Sequence, residues 1–105
     1  MSPYGFVSSG LGACTSMTIR MYARRKGWPL DNVSVDVTHD KVHAQDADSM
    51  QAPRIDRFHR RITLEGALSD DQRAKLLEIA DKCPVHRTLK SGARIETELV
   101  QTELA

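Results

Sequence analysis

The sequence lacks an excess of charge of either sign. Its 105 residues carry 15 Lys and Arg against 14 Asp and Glu, a formal net charge of +1. Such an even balance of charge creates no strong electrostatic field that would attract nucleic acid or an anionic membrane, and we expect neither as a partner. A basic cluster at residues 20–26 is interpreted as cations at the negative end of a helix dipole.

A long apolar run is also absent. The first 19 residues carry no charge, but they are rich in Ser, Thr and Gly and too polar to span a bilayer. The stretch LGAC (residues 11–14) resembles a lipoprotein cleavage site, yet the basic start and apolar run of such a signal are missing. We therefore expect a cytoplasmic protein.

Cysteine is scarce, since the chain has only Cys14 and Cys83. Two cysteines without a secretory signal do not suggest a disulfide scaffold; in a reducing compartment they are free, metal-bound or catalytic. A zinc site would need two more ligands, and neither CxxC nor HxxxH spacing is present. We expect no metal and no cofactor. The histidines that zinc would need are His39, His43, His59 and His86.

The residues that are present predict one domain over residues 1–105. A hydrophobic share of 40% and a charged share of 28% are typical of a globular chain. Apolar spacings of three and four predict a helix from about residue 7 to 26, ended by Gly27 and Pro29, and Pro3 and Gly5 argue against a long regular element before it. Ser69 and Gln72 form a capping box for a second helix over about 70–82.

Strict alternation of apolar and polar residues predicts three strands, at residues 32–39, 54–65 and 93–100. In the second strand Arg60 shares the inward parity of Phe58 and Ile62, so it is either at an edge position or an inward charge with a purpose. In the last strand Ile95 and Leu99 face inward. Residues 40–53 form either a turn with a continuing edge strand or a mobile loop. Strands without crossover helices predict an α+β class with an antiparallel sheet. Three strands and the helices on one face give a core that is small for a stable monomer.

Cys83 is placed as an acidic thiol should be. Pro84 suits the first position of a short third helix, which makes Cys83 its cap residue. Free amide hydrogens and the positive end of the helix dipole there favour a thiolate. His86, one turn on, and the adjacent Arg87 are candidates to add positive charge.

Whether the Cys14 thiolate is stabilised by its helix depends on where that helix begins. A start at Gly12 gives it the same assistance, whereas a start near Phe6 leaves it within the helix, without that help. Both cysteines lie on apolar faces, so two buried core thiols are the alternative to a redox pair.

Three stretches of the chain resemble the OsmC/Ohr family, in its OsmC-like redox protein branch. They are LGACTSMT (11–18) continuing through YARRKGWPL (22–30), RFHRRI (57–62) before LEG (64–66), and IADKCPVHRTL (79–89). The resemblance implies an intertwined homodimer with antiparallel sheets wrapped around long central helices. It also implies thiol-dependent reduction of organic hydroperoxides in oxidative-stress defence. Cys14 would attack and become a sulfenic acid, Cys83 would resolve it as a disulfide, and an external dithiol would reduce that disulfide.

Two departures from the family pattern bear on activity. Gly5 stands where members usually carry a glutamate, and the chain begins almost at the helix, without the strands that supply an arginine. Candidate supporting residues are therefore His86, Arg60 and Arg57, with Arg54 and Arg61 as further arginines near them. The alternative function is a catalytically weak or inactive dimer that binds a small molecule or a partner, or senses redox state.

Overall fold

One long helix and an antiparallel pair of strands organise the fold. The structure is a computed structural model that describes residues 2–43 and 54–100. It confirms the α+β class and the antiparallel sheet. In chain order the elements are α1 (Pro3–Lys26), β1 (Asn32–His43), β2 (Arg54–Glu65), α2 (Asp70–Ala80) and α3 (Pro84–Ser91).

Helix α1 begins earlier than expected. The interpretation of Pro3 and Gly5 as arguments against a regular element is wrong, because Pro3 occupies the first turn, where its missing N–H costs no intrahelical bond. Ser2 caps this turn, its Oγ accepting the Gly5 N–H at 3.0 Å. At the other end Gly27 closes the helix with φ of 70°, as the sequence predicts.

Strands β1 and β2 pair in one continuous register, from Asn32 opposite Glu65 to His43 opposite Arg54. Their predicted alternation is confirmed in β2, where Phe58, Arg60, Ile62 and Leu64 are half-buried and their neighbours exposed. β1 continues past residue 39 to His43, so the first part of the polar segment is strand. The rest of that segment, residues 44–53, lies outside the described residues.

The predicted last strand is wrong: residues 93–100 form no strand in the part of the chain that the structure describes. Ile95 and Leu99, expected to face inward, are 85% and 88% exposed. Alternation makes one side of a segment apolar, but a strand also needs a neighbour for its backbone N–H and C=O groups, and no strand of the described chain pairs with this segment.

The helices after the sheet follow the sequence closely. Both hydrogen bonds of the capping box at Ser69 and Gln72 are present, and α2 ends at Ala80, two residues before the expected end, where Asp81 caps it. Cys83 caps α3, and Pro84 is its first residue, as predicted. In the described ranges, no helix combines the length and the apolarity needed to cross a membrane.

The core lies where α1 packs between the sheet and α2. It is built from Ile19, Ala23, Val33, Leu76 and Ala80. Close approach of α1 to β1 is possible because residue 12 is glycine: a Cβ there would lie 3.3 Å from Val37 Cγ2. This packing brings the Cys14 turn of α1 against the junction of α2 and α3.

Candidate active site

Cys14 lies within α1, at the wall of an apolar cavity. Because the helix begins at Pro3, Cys14 is about three turns from its N-terminus and gains nothing from the helix dipole there. Its side chain is half-buried. The cavity beside it has a volume of about 740 Å³, and its lining is mainly apolar, with Met17, Met21 and Ile79 among the contributors.

Cys83, unlike Cys14, lies at the start of a helix. It is fully buried, and its Sγ accepts the backbone N–H of His86 at 3.5 Å as the cap of α3. The cap position follows from the sequence, since Pro84 fixes the first helical residue and leaves the residue before it to accept the free amides.

The two thiols lie close enough for each to shift the pKa of the other, and neither is in a disulfide. Burial raises the pKa of the Cys83 thiol, but hydrogen bonds from Cys14 and from the His86 amide outweigh it, so the pKa lies below its usual value. Burial and the bond to Cys83 raise the pKa of Cys14. The charge of a singly ionised pair therefore rests on Cys83, and the proton on Cys14.

Arg60 reaches the site from β2. Its Nη1 donates to Thr15 Oγ1 at 3.1 Å and to the Ala80 carbonyl at 3.0 Å, and its Nη2 contacts the Asp81 carboxylate at 2.8 Å. Its side chain is 13% exposed. The inward parity of Arg60, visible in the sequence, thus reflects a guanidinium that joins α1 to the end of α2, next to Cys83.

His86 contributes to the site through its backbone. Its ring Nε2 lies 3.8 Å from Asp81 Oδ1, whereas its N–H contacts the Cys83 sulfur. Burial lowers the pKa of the His86 ring, the positive charge of Arg60 lowers it further, and Asp81 opposes both. The ring is therefore held toward its neutral form and is a weak source of positive charge near neutral pH.

Arg57 is not brought to the thiols. It lies on the opposite face of β2 from Arg60 and forms a bidentate pair with Asp40, at 2.6 and 2.9 Å. That hydrogen-bonded pair holds the pKa of the Asp40 carboxyl below its usual value. Arg57 therefore braces the strand pair.

Among the side chains that the structure describes, the histidines and the thiols are not grouped as metal ligands. His39 stacks on Tyr4 with ring centroids 4.3 Å apart and contacts Asp56 at 2.8 Å, while His59 is exposed. Over residues 2–43 and 54–100, no three His, Cys, Asp or Glu side chains are grouped as metal ligands.

Two residues of the site were not predicted, Thr15 and Asp81. Both contact Arg60, and both lie next to a predicted feature, Thr15 beside Cys14 and Asp81 just before Cys83. The sequence carried one signal for them: an inward-facing arginine needs buried acceptors.

Comparisons with known proteins identify the family and the fold. A family model described as OsmC-like protein matches residues 1–98. A Jannaschia sp. CCS1 structure, an OsmC-like hydroperoxide resistance protein, is similar with a TM-score of 0.70 at 21% identity, covering 99% of this chain and 69% of its own. A Legionella pneumophila structure, an organic hydroperoxide resistance protein OsmC, has a TM-score of 0.68 at 18% identity, covering 86% and 62%.

A third structure is a Psychrobacter arcticus 273-4 protein whose name refers to osmotic stress and detoxification responses. It has a TM-score of 0.62 at 27% identity, covering 83% of this chain and 58% of its own. The chain thus spans less than two thirds of the Psychrobacter and Legionella chains. No match was found among curated proteins. Since the family model covers nearly the whole sequence, the chain belongs to the OsmC-like family.

Proposed function

We propose that the protein is a thiol-dependent peroxidase that reduces organic hydroperoxides through Cys14 and Cys83 in oxidative-stress defence. The observation that carries the proposal is a pair of adjacent, interacting thiols, one of which lines an apolar cavity. Membership of the OsmC-like family supports the same proposal, since two structures of similar fold are named hydroperoxide resistance proteins.

Cys14 is the attacking residue in this proposal, although Cys83 is the more acidic thiol. Cys14 is half-buried and lines the cavity, whereas Cys83 is fully buried and has no surface to offer a substrate. Attack requires contact with the peroxide first and ionisation second. The contact between the thiols supplies the ionisation: in the singly ionised pair, Cys14 passes its proton to the Cys83 thiolate and becomes the thiolate itself.

The reaction then balances with these two residues and an external dithiol. The Cys14 thiolate attacks the terminal peroxide oxygen, so an S–O bond forms while the O–O bond breaks. The leaving alkoxide takes the proton from Cys83 and departs as the alcohol. The Cys83 thiolate attacks the Cys14 sulfenic acid, forming a disulfide and releasing hydroxide, which is protonated to water. An external dithiol restores both thiols by exchange.

Arg60 and His86 support the pair in different ways. Arg60 places a cation one hydrogen-bonded residue away from Cys83, through Thr15, and His86 donates its amide to the Cys83 sulfur. Arg57 has no part in the proposed site because Asp40 holds it on the outer face of the sheet. Arg25 and Lys82 also line the cavity and are cations available to a leaving alkoxide.

Hydroperoxide turnover tests the assignment. With cumene hydroperoxide and a dithiol reductant, we expect Cys14→Ser to lower the rate on the order of 10³-fold or more, as loss of a nucleophile does in other covalent enzymes. Cys83→Ser should slow the first step, because it removes the thiolate that accepts the Cys14 proton, but the Cys14 sulfenic acid should still accumulate, and dimedone trapping with mass spectrometry would show it. Wild-type turnover by Cys14→Ser would refute the assignment of Cys14.

One observation favours a sensor as the second candidate function. The raised pKa of Cys14 reduces its thiolate fraction, which slows attack. A sensor would form the disulfide once with a stoichiometric amount of hydroperoxide and fail to turn over with excess dithiol.

We propose further that the functional unit is a homodimer and that it acts in the cytoplasm. Large apolar side chains on α1 are exposed, among them Phe6 (66%), Met17 (61%) and Met21 (58%). The Cα radius of gyration is 18.3 Å, whereas a compact domain of this length would have about 13 Å. The cytoplasmic location is supported by the low cysteine content, since two cysteines do not make the disulfide scaffold of a small secreted domain.

Sedimentation tests the dimer. We expect a dimer at micromolar concentration and a melting temperature that rises with protein concentration. Met17→Glu should shift the equilibrium toward monomer, because it places a charge on the covered face, while Met17→Leu keeps the dimer. A folded wild-type monomer at micromolar concentration would exclude this assembly.

A further inference from the structure

Thr15 is a fully buried polar residue between the two thiols. Its Oγ1 donates to the Leu11 carbonyl at 2.7 Å and accepts from Arg60 Nη1 at 3.1 Å. The same Arg60 Nη1 donates to the Ala80 carbonyl, which also accepts the Cys83 N–H at 3.3 Å, so the hydroxyl lies beside Cys83 and lowers the pKa of its thiol. A threonine hydroxyl has one proton and two acceptor lone pairs, so it cannot donate to the carbonyl and to the sulfur at once.

The Leu11 carbonyl and the Cys83 sulfur compete for the single hydroxyl proton, and losing it has different consequences for each. The Leu11 carbonyl lies inside α1, where the backbone N–H four residues on is its regular partner. It therefore stays satisfied when the hydroxyl turns away. A buried Cys83 thiolate has only a few donors, and each one it loses leaves charge uncompensated.

Arg60 determines which side of the hydroxyl is free. The guanidinium is fixed by Asp81 and by the Ala80 carbonyl, so it holds the Thr15 oxygen from one direction. Arginine has no acceptor, and its contact with Oγ1 therefore uses a lone pair and leaves the proton for another partner. Donation by a cation to this oxygen also polarises the O–H bond and strengthens the bond that it makes.

We propose that Thr15 is the positioning residue of Cys83: its hydroxyl, held by Arg60, turns its proton from the Leu11 carbonyl to the Cys83 sulfur when that sulfur is ionised. In the peroxidase reaction, on which this role in turnover rests, the thiolate then remains aimed at Cys14 while the sulfenic acid forms. The positioning itself requires only that Cys83 ionises.

Several charged or titratable groups face Cys83 besides Thr15, and the test must separate them. Cys14 approaches from α1, Arg60 from β2, Asp81 from the end of α2, and His86 from α3. A variant of Thr15 leaves all four in place. Removal of Cys14 as Cys14→Ser reduces the titration to a single thiol.

The experiment titrates the Cys83 thiolate by its ultraviolet absorbance in a Cys14→Ser background, with Cys14→Ser/Cys83→Ala as the blank. We expect Thr15→Val to raise the midpoint by about one pH unit, a tenfold loss of thiolate below it, because a hydrogen bond to charge is lost. Thr15→Ser should restore the original midpoint. Should Thr15→Val not fold, Thr15→Ala carries the same expectation.

Thr18→Val is the matched control. Thr18 lies one turn further along α1, where its hydroxyl donates to the Cys14 carbonyl at 2.8 Å, so the same substitution there should leave the Cys83 midpoint unchanged. An unshifted midpoint in Thr15→Val, or no recovery in Thr15→Ser, would overturn the proposal. Absence of hydroperoxide turnover in the wild type would refute the peroxidase alone, since the titration needs no substrate.

Discussion

Cys14 and Cys83 place the same functional group in two opposite environments. Cys14 lies within a helix, at the wall of a cavity, and its pKa is raised. Cys83 caps a helix, has no exposed surface, and its pKa is lowered. Cys14 is therefore accessible to a substrate but its thiolate is not stabilised, whereas the Cys83 thiolate is stabilised but not accessible.

The difference teaches that acidity alone does not identify an attacking cysteine. A thiolate at a helix N-terminus is stabilised by amides that also enclose it, so the features that lower its pKa remove it from solvent. The proximity of the two thiols resolves this conflict, because a proton moves between them more readily than a substrate enters the core. The pair then acts as one unit with one proton.

Native-state alkylation gives the largest expected contrast between the two thiols. With excess iodoacetamide under reducing conditions, we expect Cys14 to be modified on the order of 10² times faster than Cys83, because Cys83 reacts only after α3 opens. Site-resolved mass spectrometry measures both rates. Because its pKa is raised, Cys14 labelling should keep rising at pH values where an ordinary free thiol levels off.

The contrast should vanish in denaturant, where both residues become ordinary thiols, and this serves as the control. Faster native labelling of Cys83 than of Cys14 would reverse the comparison. It would also remove the reason for assigning attack to Cys14.

Sequence reasoning predicted those parts of the site that depend on local chemistry. The cap position of Cys83 followed from Pro84, whereas strand parity left Arg60 as either an edge position or an inward charge, and the structure shows the second. The start of α1 was also encoded locally, in Ser2 and Pro3, but the proline was interpreted as a breaker.

The rest depends on which elements meet, which local patterns do not contain. The contacts of Arg60 with Thr15 and Asp81 join residues 45 and 21 positions apart in the chain. Residues 93–100 show the same limit, since their alternation marks an apolar side without saying whether a partner strand exists in the same chain. The raised pKa of Cys14 likewise follows from its burial in the folded chain and from its contact with Cys83, neither of which a local pattern contains.

The smallest expected effect is on the free energy of unfolding. Serine and alanine should rank in opposite order at the two cysteine positions, because only Cys83 caps a helix. Serine is a strong N-cap and alanine is not, so Cys83→Ser should be more stable than Cys83→Ala by about 1 kcal/mol, because the serine oxygen still accepts the His86 amide. Within a helix alanine is the better residue, so Cys14→Ala should equal or exceed Cys14→Ser. Urea unfolding of the four reduced variants measures both differences. Equal stability of the two Cys83 variants would mean that the sulfur does not act as a cap, and the charge stabilisation assigned to the start of α3 would have to come from Thr15 and Cys14 instead.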